Sequence, residues 1–98
     1  MILTYHLEAS NELREAFEWY ESQKDGLGFR FVNDVELAIK RIQNFSYSNA
    51  IIAKEYRRAI LPIFPYGIFY KVKADVIEIY AIAHLHRKPY YWAKRKMS

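Results

Sequence analysis

Along this chain the hydrophobic residues change period once. From Leu13 to Ile42 they recur at helical spacing, and from Glu55 to His84 they alternate. Leu13, Ala16, Phe17 and Tyr20 fall at i, i+3, i+4 and i+7, which predicts an amphipathic helix. Ser10 stands ahead of them as its N-cap, with a hydroxyl that can accept from free backbone N–H groups of the first turn. Glu12 and Glu15 lie near the positive end of that helix, where negative charge is favoured. Asp25-Gly26 closes it through a turn that tolerates positive φ. A second helix is predicted from about Gly28 to Asn44, with Phe31, Val35, Ala38, Ile39 and Ile42 on one face. The connection is short, so the two form an antiparallel hairpin. Ahead of them, Ile2 to Leu7 reads as an opening strand.

Three further strands are predicted at about Glu55–Leu61, Tyr66–Lys73 and Val76–His84. Pro62 and Pro65 separate the first two, and Ala74-Asp75 the last two. Connections this short imply antiparallel pairing. In the last strand Ile77, Ile79, Ala81 and Ala83 form one face, expected under the helices. Glu78, Tyr80, Ile82 and His84 form the other, and alternation puts Arg58 on that open face too. The helical hairpin should then pack through Leu13, Phe17, Tyr20, Phe31, Val35, Ile39 and Ile42, with Ile79 buried beneath it. The predicted order is β-α-α-β-β-β, an α+β fold with an antiparallel sheet and an N-terminal helical hairpin on one face.

Length and composition narrow the class. With 98 residues the default is a single domain over 1–98, and 52% hydrophobic residues exclude intrinsic disorder. Cysteine is absent, which removes disulfides, thiolate metal sites and cysteine nucleophiles. No apolar run approaches the ~20 residues that cross a bilayer, and the N-terminus lacks the pattern of a secretory signal. A cytoplasmic protein with no membrane partner is expected. Charge is lopsided: Met1–Ala53 carries 5 basic and 8 acidic residues, and Lys54–Ser98 carries 10 basic and 3 acidic. A basic second half rich in tyrosine suits a polyanion or an acidic protein segment. A solvated basic surface that only aids solubility is the plainer alternative.

Candidate chemistry is found by elimination. His84 and His86, with His6 in reach only through the fold, lack the further ligands that zinc needs, so no metal is expected. Gly26-Leu27-Gly28 follows a helix, not a strand, which excludes a dinucleotide loop. Ser46 and Ser48 sit in a polar stretch with no nucleophile-elbow pattern. No cofactor is implied. There remain Arg57, Arg58, His84, His86, Arg87, Tyr90, Tyr91 and Trp92. Guanidinium groups match phosphate oxygens, a histidine can move a proton, and aromatic faces can stack on unpaired bases. The plainer reading pairs Arg58 with Glu78 and packs Tyr90 and Trp92 as a lid on the core.

The run from Arg57 to Val72, containing Phe64-Pro65-Tyr66, and the pattern His84-x-x-Arg87-x-Pro89-x-x-Trp92 together resemble the ParE branch of the RelE/ParE toxin superfamily. Glu18-Trp19-Tyr20-Glu21 and the Gly26-Leu27-Gly28-x-x-Phe31 that follows are similar to the same family's helical hairpin, so the resemblance spans about residues 3 to 92. It implies the β-α-α-β-β-β fold, and a toxin of a type II toxin–antitoxin (plasmid-stabilisation) pair neutralised by a cognate antitoxin. ParE-like members poison DNA gyrase, whereas RelE-like members cleave messenger RNA on the ribosome without a metal. The cluster of lysines used by the cleaving branch is missing, with Lys54 nearly alone before its strand. The resemblance therefore implies gyrase as target, with Arg57, Arg58, His84, Arg87, Tyr90 and Trp92 as the binding surface. If RNA is the substrate instead, Arg58, His84 and Tyr90 are the catalytic candidates. A third alternative is an inactive toxin fold retained as a binding module. The antitoxin is expected as an acidic segment with aromatic anchors that folds along the basic surface.

Overall fold

The computed structural model describes residues 1–96. Its elements are β1 (Ile2–Tyr5), α1 (Leu7–Gln23), α2 (Leu27–Asn44), β2 (Ile51–Ala53), β3 (Tyr56–Ile60), β4 (Tyr66–Lys73) and β5 (Val76–His84). They form an α+β fold, with the helical hairpin laid on one face of a five-stranded sheet of order β1-β5-β4-β3-β2. β2 to β5 pair antiparallel, while β1 runs parallel to β5, so the sheet is mixed. The hairpin is the crossover that makes a parallel neighbour reachable. β2 escaped the sequence pattern because a strand of 3 residues shows too little alternation to stand out.

Helix α1 begins earlier than Ser10. His6 donates its backbone N–H to the Ile79 carbonyl, ending β1, and its Nδ1 accepts from the Glu8 N–H at 3.0 Å. The imidazole is thus the N-cap, and Ser10 lies inside the helix. Between the helices Gly26 takes φ +86°, and the Glu21 carboxylate accepts from the Gly26 and Gly28 N–H groups at 2.8 and 2.9 Å. A Cβ on Gly28 would lie 2.6 Å from the Phe17 carbonyl oxygen, so this glycine sets how closely the helices approach. In α2, Asp34 is buried and its Oδ2 accepts from Ile63 and Phe64 N–H at 3.2 Å, tying the β3–β4 loop to the helix.

The core under the helices contains Phe31, Val35, Ile39, Ile42, Ile68, Tyr70, Ile77 and Ile79, with Leu13 and Tyr20 packed at its edge. Ile79 is fully buried there, as the alternation predicts. Beyond it the register shifts. Tyr70 faces Ile79 and Phe69 faces Ala81, which leaves Tyr80 as the extra residue of a β-bulge. The bulge reverses the facing of all that follows. Ile82 joins the core under the helices, whereas Ala81 and Ala83 turn to the opposite face with Tyr56, Phe69, Tyr80 and Trp92. The expected placement of Ala81 and Ala83 under the helices, with Ile82 and His84 opposite, is thereby corrected.

Candidate functional site

The face away from the helices is partly covered by the chain that follows β5. Trp92 is buried, its ring 4.5 Å from that of Tyr56 and 4.7 Å from that of Phe69. Ala81 and Ala83 leave room for it, since a larger side chain at either position would fill the same space. Tyr56 donates its hydroxyl to the Ala93 carbonyl at 3.3 Å, fixing the segment from its far side.

Glu12 holds the same segment to the helices. Its Oε1 accepts from Arg95 Nη1 at 2.8 Å and from the Ile82 N–H at 3.1 Å. Its Oε2 accepts from Arg95 Nη2 at 3.1 Å and from the Tyr91 hydroxyl. Arg95 Nη1 also donates to the Tyr80 carbonyl at 3.0 Å. β1 covers β5 only as far as Ile79, so the acid and the guanidinium satisfy backbone groups that a longer strand would otherwise meet. Burial, then the hydrogen bond and charge of Glu12, push the Tyr91 phenol well above its ordinary range.

Between this segment and the sheet lies a cavity of about 250 Å³, bordered by Arg58, His84, Arg87, Lys88, Tyr90 and Trp92 among others. That volume falls just below the range for a drug-sized ligand and suits one side chain or one phosphate group. Arg58 reaches it from β3, where its backbone faces Phe69, and it makes no ion pair among the described residues. An Arg58–Glu78 pair, the plainer sequence reading, does not form: β4 lies between their two strands. Tyr90 is 46% exposed and adopts φ +62°, a conformation that costs a non-glycine residue on the order of 1–3 kcal/mol. Arg87 stacks its guanidinium over the Tyr91 ring at 3.9 Å.

Three sequence candidates sit differently from expectation. Arg57 points away from the cavity, donating to the Tyr47 and Asn49 carbonyls at 3.2 and 2.6 Å, and so pins the loop after α2. His84 borders the cavity from the helix side, its ring 5.2 Å from that of Tyr66, which in turn lies 4.9 Å from Phe31. The bulge is the cause, because it separates the facing of His84 from that of Arg58. His84 Nδ1 accepts from the His86 N–H at 3.1 Å, which leaves the proton of the neutral ring on Nε2. Trp92 is an anchor beneath the surface and offers no exposed face. Sequence reasoning missed the clamp roles of Glu12 and Arg95, and also Lys88. The signal for the first two lies in contacts across 83 positions, which local patterns do not carry.

Taken together these features define a small α+β fold: a helical hairpin on a mixed five-stranded sheet, with a basic cavity beneath the segment that follows β5. The chain belongs to the family described as the ParE toxin of the type II toxin–antitoxin system parDE, whose sequence profile matches residues 3–89. Among solved structures it is similar to a chain of the chromosomal ParDE toxin–antitoxin system from P. aeruginosa, with a TM-score of 0.73 and 21% identity. That match covers 86% of this chain and 95% of the other, and at such identity it shows the fold. A comparison with curated protein sequences finds no match. Within residues 1–96, no helix is long and apolar enough to cross a membrane.

Proposed function

We propose that this ParE-family toxin inhibits DNA gyrase by binding it, and that a cognate antitoxin neutralises it by covering the cavity bordered by Arg58, Arg87 and Tyr90. The family supplies the toxin class; the observation that favours binding over RNA cleavage is the separation of Arg58 from His84 by the bulge. A cleaving site needs its proton-moving group and its phosphate-stabilising group aimed at one reacting centre. Here both groups border one cavity, but the imidazole comes to it from the helix side, against Tyr66, and the guanidinium from the opposite face of the sheet. Binding makes no such demand. An exposed arginine beside an exposed tyrosine is the kind of pair that anchors protein interfaces.

An antitoxin segment that places a carboxylate against Arg58 and an apolar side chain beside Tyr90 would occupy the same cavity and exclude the target. The test is induced expression of the chain with and without a short neighbouring antitoxin gene, followed by assays of gyrase supercoiling and of messenger RNA integrity. Loss of supercoiling with intact RNA supports this reading. Cleaved RNA with normal supercoiling overturns it in favour of ribosome-dependent RNA cleavage. Harmless expression with both readouts normal identifies an inactive binding module.

A further inference from the structure

We infer that the toxin carries a second, separate binding surface: a lysine-lined groove on the open sheet face that holds the phosphate backbone of double-stranded DNA. The groove lies beyond Trp92 from the Arg58 cavity and is lined by Lys54, Lys73, Lys94 and Lys96 around the Tyr56 and Tyr80 rings. These four lysines are exposed, and none makes an ion pair among the described residues. Two other cations at the groove are already engaged. Lys71 sits over the Tyr56 and Tyr80 rings at 4.5 and 5.2 Å, 3.9 Å from a Glu55 oxygen. Arg95 belongs to the Glu12 clamp. The one carboxylate lining the groove is Glu78, whose Oε1 is buried without a hydrogen-bond partner. Four free positive charges therefore face solvent against one acid.

Three elements converge to make the patch. Lys54 sits at the tip of the β2–β3 turn with φ +50°, Lys73 ends β4, and Lys94 and Lys96 arrive on the C-terminal strap. The sequence spreads them over 42 positions, so only the fold reveals the grouping.

The chemistry of the lining selects the occupant. An acidic protein segment that orders on binding has to bury apolar side chains to offset its lost entropy. Tyr56 and Tyr80 are 4% and 5% exposed, so neither ring offers the broad apolar anchor that such a segment needs. For the same reason it has no platform on which unpaired bases could stack, which disfavours single strands. What it presents is flexible point charge, suited to a regular array of phosphates and indifferent to sequence. A duplex fits that description. The choice of DNA over RNA duplex rests on the gyrase reading, since gyrase works on DNA; the duplex form rests on the groove alone. A toxin held on DNA would meet gyrase where it acts.

The experiment measures binding of the purified full chain to a fluorescent 20-base-pair mixed-sequence DNA duplex across a salt series, with no gyrase present. Each phosphate contact contributes a slope of about −0.9 in log affinity against log salt, so four lysines predict about −3.6. The variants K73Q and K94Q should each flatten the slope by about one unit, and K73R and K94R should restore it. The quadruple Lys→Gln variant should lose affinity by about tenfold or more at low salt. R58A should retain the lysine-dependent slope, which separates this surface from the cavity. The inference is overturned if the glutamine variants bind as the parent does, or if an acidic polyglutamate peptide of equal charge or a single strand binds more tightly than the duplex. Tighter binding to the matching RNA duplex overturns the DNA assignment. Should the quadruple variant misfold by circular dichroism, the single substitutions decide. Supercoiling is assayed separately, so DNA binding without gyrase inhibition sinks the gyrase reading and leaves the groove standing.

Discussion

Glu12 and Arg95 stand 83 positions apart and close on each other with both side chains nearly buried, 12% and 14% exposed. Their pair takes the place of a strand along β5, since Glu12 accepts from Ile82 N–H and Arg95 donates to the Tyr80 carbonyl. Removing the acid leaves a buried guanidinium, a backbone N–H and a phenol without their partner. Glu12→Ala should therefore cost about 3–5 kcal/mol in urea unfolding, whereas an apolar replacement of both partners, Glu12→Leu with Arg95→Met, should recover much of the loss. A Glu12→Ala protein as stable as the parent would show that the clamp is ornamental.

Alkaline pH should loosen the same region. Tyr91 is pushed well above its ordinary value by burial and then by Glu12, and Tyr80 is pushed up to about 12 by burial and then by the Glu78 charge. A phenol with a raised folded-state value keeps its proton longer when folded than when unfolded. Its contribution is complete below pH 10, the unfolded value, and is lost as pH rises through the folded one. The melting temperature should fall between about pH 10 and 12, and Tyr91→Phe should make that fall shallower.

The helical hairpin and the long strands were legible because their apolar periods are long and regular. Val76–His84 matches β5 residue for residue, and Gly26 occupies the positive-φ turn that Asp25-Gly26 announces. What stayed hidden depends on distant partners. The Tyr80 bulge shows only in how β5 pairs with β4, and no local pattern marks it. His6 caps α1 because β1 delivers it to the Ile79 carbonyl, where Ser10 had the better cap chemistry by sequence.

Ile79 lies just before the bulge, fully buried between the hairpin and the sheet and opposite Tyr70. Ile79→Ala should destabilise the protein by about 2–4 kcal/mol, from lost burial plus the cavity left behind. Ala83→Leu should also destabilise, by about 1–3 kcal/mol, but through overpacking against Trp92 on the opposite face. Quenching of tryptophan fluorescence by iodide tells the two apart. The Ala83 variant should expose Trp92 to the quencher, and the Ile79 variant should not do so while folded.

Glycine at position 28 should resist substitution. Its missing Cβ would lie 2.6 Å from the Phe17 carbonyl oxygen and 2.9 Å from Glu21 Cβ, and backbone cannot yield as a side chain tip can. Although alanine favours helix by about 1 kcal/mol over glycine, Gly28→Ala should lower stability by thermal melting, because the clash separates the helices. A rise in melting temperature would mean that the hairpin can open at little cost.

The site itself was half legible. Arginine and tyrosine near the chain's end announced a basic, aromatic surface, and Arg58, Arg87 and Tyr90 do border one cavity. Alternation alone set His84 beside Arg58 on the open face, and the bulge undoes that. The consequence can be measured with two substitutions. His84→Gln keeps hydrogen-bonding capacity but removes an ionisable ring, so it should abolish an RNA cleavage that needs proton transfer, a loss of about 10²–10⁴-fold. On a gyrase-binding surface it should weaken inhibition only a few-fold, on the order of 1 kcal/mol, because the ring reaches the cavity from the helix side. Arg58→Ala removes the exposed guanidinium and should raise the concentration needed for gyrase inhibition by about tenfold or more, as for an anchor residue. Both variants alter surface-accessible groups, so folding by circular dichroism should match the parent. Full toxicity in a folded Arg58→Ala protein would mean that the target engages another face. Toxicity abolished by His84→Gln, with Arg58→Ala only mildly affected, would mean that the working group is the imidazole and that binding through the arginine is not how this toxin acts.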